Sequence, residues 1–261
     1  MAHAFDAKNR VTGTANPLLV SHTCGSGATV LVLSLVVKAN VARTGGAPSY
    51  NGVTMTQVGT TQIATETNCE MWYLANPSIG TYNVSIPNAG AKTLYAITSS
   101  YKAQAGYTST ISDWNAGTGE SANPSLVVLV ENGGVGVDVL GDGLNTAPTA
   151  NNQVLLYSTD DGQYSDNAQY ERQSSGSITF SWTVAADDWC MIVVAFKELA
   201  GGAVETITAK NFPMLYVSKP VKTQELISKV EGATITKVAN DFPQELIKSG
   251  KAAELKSKFA T

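Results

Sequence analysis

Strand-sized segments with turns between them fill the first two hundred residues of this chain, and this pattern limits the fold more than any other feature. In the clearest segment, Ile178, Phe180, Trp182 and Val184 alternate with polar side chains. An alternation of period two places the apolar side chains on one face of a β-strand. Residues 82–86 repeat the same pattern, with Thr81, Asn83 and Ser85 on the polar side.

Turn sequences between the segments carry hairpin chemistry. Asn51-Gly52 is the dipeptide that accepts positive φ at both central positions of a tight turn, and it lies between two β-forming residues, Tyr50 and Val53. Short strands joined by such turns are typical of an all-β sandwich. We therefore predict one antiparallel β-sandwich of jelly-roll type over residues 1–200.

Three segments are apolar on both faces: 30–37, 126–130 and 191–196. Continuous apolar runs of strand length predict central strands that are covered on each side. We expect further strands at residues 53–58, 70–74, 93–101, 135–140 and 154–157.

Charge and hydropathy exclude two classes of protein. The net charge is -4 and the pI is about 5.2, so the chain lacks the basic surface that nucleic-acid binding requires. A membrane-spanning helix needs roughly 18 consecutive apolar residues, and no apolar run in the sequence approaches this length. We therefore expect no membrane span. The first residues do not read as a secretory signal, so we expect the chain to be made in the cytoplasm.

The composition changes after a linker at residues 199–203, and we predict a separate Lys-rich tail or small anchoring subdomain over residues 201–261. From residue 203 onward nine Lys face six acids, a net charge of +3, whereas the preceding residues carry -7. Residues 223–230 and 251–259 have weak helical signals, so we expect a mixed or helical tail. The side chains predicted to anchor it to a neighbouring surface are Phe212, Tyr216, Leu226, Leu246, Leu255 and Phe259.

Catalytic and cofactor signatures were sought and not found. The two histidines, His3 and His22, are expected to be exposed polar residues, one in a flexible end and one beside a Ser-rich turn. The acidic turns at 138–142 and 160–167 lack the spacing of a calcium loop. We predict that the chain is not an enzyme and uses neither a cofactor nor a metal.

The three cysteines, Cys24, Cys69 and Cys190, have no metal-ligand spacing. Cys69 and Cys190 fall within strand-like stretches, so we interpret them as small buried hydrophobic residues. A disulfide between two of the three remains an alternative.

Aromatic and amide side chains in the predicted loops form the candidate ligand site: Tyr107, Trp114, Asn115, Tyr164 and Tyr170. Exposed rings beside amides suit a sugar, whose apolar face stacks on a ring while amides bind its hydroxyls. The same residue types also build protein interfaces or anchor loops. All three interpretations stay open.

Two segments carry a family resemblance. The hairpin sequence Tyr50-Asn51-Gly52-Val53 precedes Tyr73-Leu74-Ala75-Asn76-Pro77, and the region closes with the strands around Trp182 and Trp189. This order resembles the β-sandwich domain of phage and bacterial surface proteins, over residues 10–198. The resemblance implies a virion decoration, a tail appendage or an adhesive domain.

The leading hypothesis is a phage structural protein exposed on the particle, such as a capsid decoration or head-fibre protein. It would be made in the host cytoplasm and placed on the virion surface, in contact with other virion proteins and with itself as a homo-oligomer. A tail fibre or tail-surface protein is one alternative. A lectin-like module that binds surface glycans is the other.

Overall fold

The computed structural model describes residues 3–131, 133–143, 147–151, 153–160, 165–172 and 175–200. The chain divides into two units, Met1–Leu199 and Ala200–Thr261. The predicted tail, residues 201–261, with its helical segments and anchoring side chains, lies outside the described residues.

The described residues form strands and no helix. The strands of the first half are β1 Ala4–Gly13, β2 Leu18–Cys24, β3 Val30–Lys38, β4 Ser49–Tyr50, β5 Val53–Thr54, β6 Thr56–Gln57, β7 Gln62–Ile63, β8 Asn68–Ala75, β9 Gly80–Ile86 and β10 Thr93–Lys102. Those of the second half are β11 Tyr107–Gly119, β12 Ser125–Val130, β13 Val135–Asp142, β14 Thr149–Ala150, β15 Val154–Asp160, β16 Ser165–Arg172, β17 Gly176–Thr183 and β18 Trp189–Ala200.

The strands assemble into four antiparallel sheets. The first inner sheet has the order β1-β10-β3-β8-β6, with β7 also paired to β8, and the first outer sheet has the order β2-β9-β4-β5. The second inner sheet has the order β11-β18-β13-β16-β15, and the second outer sheet has the order β12-β17-β14.

The first pair of sheets has jelly-roll topology. Counting its eight main strands along the chain, one sheet has the order 1-8-3-6 and the facing sheet the order 2-7-4-5. This is the arrangement of two interleaved Greek keys. The prediction of an antiparallel, jelly-roll β-sandwich is confirmed.

The second half repeats the topology of the first for seven of its eight main strands, and β5 has no counterpart among the described strands. Strands β11, β18, β13 and β16 take the places of β1, β10, β3 and β8, and β12, β17 and β14 take those of β2, β9 and β4. The two halves also share side-chain contacts. The amide of Asn9 donates to the carbonyl of Ser21, and that of Asn115 donates to the carbonyl of Val127. Each asparagine also accepts a hydrogen bond from the next residue's N–H. The body therefore contains two sandwiches of similar topology.

Three hydrophobic cores separate the four sheets. One lies between the first inner and outer sheets and contains Leu33 and Val84. A second lies between the second inner and outer sheets and contains Phe180 and Trp182. The third joins the two inner sheets, so the layers run outer, inner, inner, outer. Strand alternation predicts two-layer packing but not the number of such units, and for this reason the sequence indicated one sandwich where the structure has two.

The inner sheets explain the strands that are apolar on both faces. β3 and residues 191–196 of β18 are buried throughout, as predicted, because another sheet covers each of their faces. The same prediction for residues 126–130 is wrong. β12 belongs to an outer sheet, and Val127 and Leu129 are 47% and 44% exposed.

Candidate interaction surfaces

The seven strands of the two outer sheets contain no Lys, Arg, Asp or Glu. Their outward residues are mainly Ser, Thr and Asn with a few aliphatic side chains. On the first outer face the exposed side chains include Leu19, Ser21, Thr23, Val53, Thr54, Thr81 and Asn83. On the second outer face they include Ser125, Val127, Leu129, Thr149, Ser177, Thr179 and Thr183. Both broad faces of the body are thus neutral and rich in hydroxyl groups.

Side chains of β11 cover the free edge of β12. Asp113 accepts the N–H of Leu129 at 2.8 Å, and Ser112 donates to the Leu129 carbonyl at 3.1 Å. Asn115 donates to the carbonyl of Val127 at 3.2 Å. An unpaired strand edge is a template for pairing with another chain. Because these polar groups occupy hydrogen-bonding positions along β12, they hinder pairing of this edge with another chain.

Trp114 lies in β11 rather than in a loop, and its indole is 45% exposed. One face of the ring packs on Gly59, where φ is +57° and an added Cβ would collide with the indole. Gly59 belongs to the first sandwich, so Trp114 contacts the other half of the body. The ring is at once an anchor between the two halves and a partly open aromatic surface.

The other predicted ligand residues are not gathered around Trp114. Tyr107 begins β11 seven residues earlier, about 23 Å away along an extended strand, and it is 37% exposed. The amide of Asn115 is engaged at the edge of β12. Tyr164 lies outside the described residues. The described members of the predicted site therefore do not form one ligand platform.

Tyr170 corrects the expectation of an exposed loop ring. It lies in β16 and is buried between the two inner sheets. Its ring stacks on Phe5 at 5.2 Å and meets the edge of Tyr101 at 5.5 Å. An aromatic side chain whose strand is covered on both faces contributes to the core and is closed to a ligand.

Both histidines are buried, contrary to the prediction that they are exposed. His3 Nε2 lies 2.7 Å from Ser109 Oγ, and its Nδ1 lies 3.0 Å from the carbonyl of Gly133. The amino-terminal segment pairs into the first inner sheet through β1, which brings His3 against the second sandwich. Burial lowers the pKa of His3.

His22 belongs to a buried polar cluster inside the first sandwich. Its Nδ1 lies 2.9 Å from Thr98 Oγ1 and its Nε2 lies 3.0 Å from Ser100 Oγ. Ser100 donates to Asp6, so its oxygen is free to accept Nε2–H, whereas the Thr98 hydroxyl lies within hydrogen-bond distance of both Nδ1 and the carbonyl of Asn9, to which it donates at 3.3 Å. Burial lowers the pKa of His22 to about 4, although the Asp6 charge acts in the opposite direction.

Asp6 forms the outer end of the same cluster, where it accepts a hydrogen bond from the Ser100 hydroxyl and pairs with Lys102. Partial burial raises the pKa of its carboxyl, but Lys102 at 2.8 Å, the N–H of Gly25 and the hydroxyl of Ser100 outweigh burial, so the pKa is lowered overall. The core of the second sandwich contains no histidine, and its inward side chains from β12 and β18 include Val128, Val193 and Ala195. The cluster is therefore specific to the first sandwich.

A buried ion pair joins the loop after β3 to β8. Nε and Nη2 of Arg43 each lie 3.0 Å from Oε2 of Glu70, and Trp72 Nε1 donates to the same oxygen at 2.9 Å. Arg43 also donates to the carbonyls of Gly46 and Pro87. These charges neutralise each other inside the body, where they hold loops in place.

An open cleft of about 340 Å³ lies where the two sandwiches meet. Its lining residues are Ile63, Ala64, Thr65, Thr118, Gly119, Glu120 and Asp188. Asp188 Oδ2 accepts the N–H of Glu66 at 2.9 Å, which ties the two halves together. The carboxylate of Asp188 thus has a structural hydrogen bond at the junction.

The described part of the chain has neither a metal-binding cluster nor a helix that could span a membrane. No cluster of three or more His, Cys, Asp or Glu side chains is placed to hold a metal ion. No helix there is long and apolar enough to span a membrane.

Comparison with known proteins gave no match to a family model, a curated protein or a solved structure.

Proposed function

We propose that this chain is a structural protein exposed on the surface of a phage particle, a capsid decoration or head-fibre protein that works by contact through its two outer faces. A tail fibre or tail-surface protein would use the same faces in the same way. The observation that carries the contact role is the absence of charged residues from all seven outer strands. The particle assignment draws on the resemblance to phage and bacterial surface domains.

Neutral outer faces suit contact with another subunit. The core of a protein interface is depleted of charged side chains, because burying an unpaired charge is costly. Here 38 charged residues occur in the chain and none falls in an outer strand. The exposed aliphatic side chains Leu19, Val127 and Leu129 supply apolar area within the polar rows. We infer that the occupants of these faces are neighbouring virion subunits, including other copies of this chain.

Immunogold electron microscopy tests the particle assignment. Antibodies against the purified chain are applied to intact, gradient-purified phage particles from the culture that produces it. We expect gold on the outside of the capsid, and label on the tail would favour the tail alternative. The proposal fails if the particles carry no label and the chain stays in the supernatant when they sediment.

A lectin-like module is the second candidate, and it is favoured by the half-exposed indole of Trp114. A ring of this kind can stack on the apolar face of a sugar. Asp113 and Asn115, the neighbours of Trp114 in β11, hydrogen-bond to β12, which is the edge strand of the hydroxyl-rich second outer face. A glycan ligand would then contact both the ring and the neighbouring hydroxyl groups.

A glycan array tests this second candidate. We expect specific binding by the full chain to fall by about fivefold or more in Trp114→Ala, if the sugar stacks as well as a nucleic-acid base does, since base stacking contributes about 1–3 kcal/mol per ring. Tyr107→Ala is the matched control, since it removes the other exposed ring of β11 and should leave binding unchanged. Equal binding by the Trp114 variant, or no glycan bound by the native chain, would remove the lectin hypothesis.

A further inference from the structure

Two of the three cysteines meet at the junction of the sandwiches. Cys69 lies in β8 of the first inner sheet and Cys190 lies in β18 of the second inner sheet. Their sulfur atoms are 2.7 Å apart although the residues are 121 positions apart in the chain. Both residues are buried in the core that joins the two inner sheets. Their predicted role as small buried residues is confirmed, and the structure adds that they are neighbours.

A bond between the two sulfur atoms needs only a small further approach. A disulfide needs sulfur atoms about 2.05 Å apart, so an approach of about 0.7 Å would close it. Gly141 lies beside Cys69, and an added Cβ there would come within 3.2 Å of the Cys69 sulfur. The thiol of Cys69 also lies 3.1 Å from the carbonyl of Cys190. Cys24 lies in a different core, so only one of the three pairings is within reach.

We propose that Cys69 and Cys190 are a disulfide site that links the two sandwiches covalently when the chain meets a small disulfide oxidant such as oxidised glutathione. One thiol loses its proton, attacks a glutathione sulfur and releases one glutathione thiolate. The second cysteine, also deprotonated, attacks the mixed disulfide and releases the other. Two cysteine thiols thus lose two protons and two electrons, and one glutathione disulfide is reduced to two thiols.

Burial determines when this reaction occurs. Burial and the contact with Cys190 raise the pKa of the Cys69 thiol, and both side chains are closed to solvent. The thiolate is the reactive form, so exchange is slow in the closed body and proceeds while the inner sheets are apart. Oxidation is therefore expected during refolding in an oxidising mixture and not on brief exposure of the folded chain.

Cysteine counting in the full chain tests the proposal. The chain is refolded in a mixture of reduced and oxidised glutathione, then denatured and alkylated, and its intact mass is measured. We expect one alkylated cysteine, Cys24, against three in a sample reduced first, and a peptide pair that links Cys69 to Cys190. Closing a loop of more than a hundred residues should raise the Tm by about 5–15 °C relative to the reduced chain.

Cys24→Ala is the control variant and should retain both the link and the Tm increase. In Cys69→Ala no internal link can form, and two cysteines should be alkylated. The proposal is overturned if the refolded native chain shows three alkylated cysteines at every glutathione ratio, or if its disulfide includes Cys24. Since the native chain alone gives this answer, poor folding of a variant does not affect the test.

Discussion

Replacing Glu70 by glutamine is expected to lower the free energy of unfolding by about 3–5 kcal/mol, the usual cost of leaving one partner of a buried ion pair without its counter-charge. Both side chains are almost fully buried, at 2% exposed for Arg43 and 3% for Glu70. Oε2 of Glu70 accepts from Arg43 and from Trp72 together. The neutral amide keeps the shape of the carboxylate but leaves the guanidinium charge buried. Urea unfolding at pH 7 measures the loss.

Two controls separate this pair from ordinary surface charge. Lys197 and Glu131 form a second ion pair, with a nitrogen–oxygen distance of 2.7 Å, but their side chains are 30% and 41% exposed. Glu131→Gln should therefore change the free energy of unfolding by no more than about 1 kcal/mol. Removing both charges in Arg43→Met/Glu70→Leu should cost much less than the sum of the two single changes. Equal losses for Glu70→Gln and Glu131→Gln would contradict the role given to burial.

The sequence predicted some of the strands that have one buried and one exposed face, namely β9 and β17, but it did not predict β2, whose burial also alternates. The alternation around Phe180 and Trp182 became β17, and Asn51-Gly52 became the turn between β4 and β5, with φ of 48° and 79°. It did not predict β1 and β11. Both are long strands at the edges of inner sheets, and their residues are mostly half-buried, so no alternation marks them. Because the residues of these edge strands are half-buried on both faces, the strands lack the alternation of apolar and polar residues on which strand prediction depends.

The two halves share only a short sequence similarity. Thr12-Gly13 is followed shortly by Ala15-Asn16-Pro17, and Thr118-Gly119 is followed shortly by Ala122-Asn123-Pro124. Elsewhere the sequences of the two halves differ. The buried β3 reads VLVLSLVV where β13 reads VGVDVLGD. Packing constrains which positions are inward but tolerates many side chains there, so two halves with the same topology can differ in sequence.

The sequence allowed the residue types of the candidate surfaces to be predicted, but not their positions in the fold. Exposure of Trp114 and Tyr107 followed from the polar residues around them, whereas burial of Tyr170 depends on a second sheet that no local pattern indicates. The neutral outer strands could have been found from the sequence, because each lacks charged residues. Recognising them as two faces required the assignment of β2, β9, β12 and β17 to outer sheets.

Lowering the pH from 7.5 to 4.5 is expected to cost about 2–3 kcal/mol of stability through His22. Burial lowers the pKa of His22 to about 4 in the folded chain, against about 6.5 in the unfolded chain. Between these values the unfolded chain binds a proton that the folded chain does not, so stability falls as the pH falls. Below about 4 the folded form also binds the proton, and this contribution stops growing. Urea unfolding across this pH range measures the slope.

The second sandwich supplies the control for this pH dependence. The inward side chains of β12 and β18 there include Val128, Val193 and Ala195, so the triple variant His22→Val/Thr98→Val/Ser100→Ala introduces residue types that already pack between an inner and an outer sheet of this chain. This variant should keep only the slope due to His3, whose pKa is also lowered by burial. The lowered pKa of Asp6 places its titration at more acid pH, outside the measured window. An unchanged slope in the triple variant would show that His22 is not the group responsible.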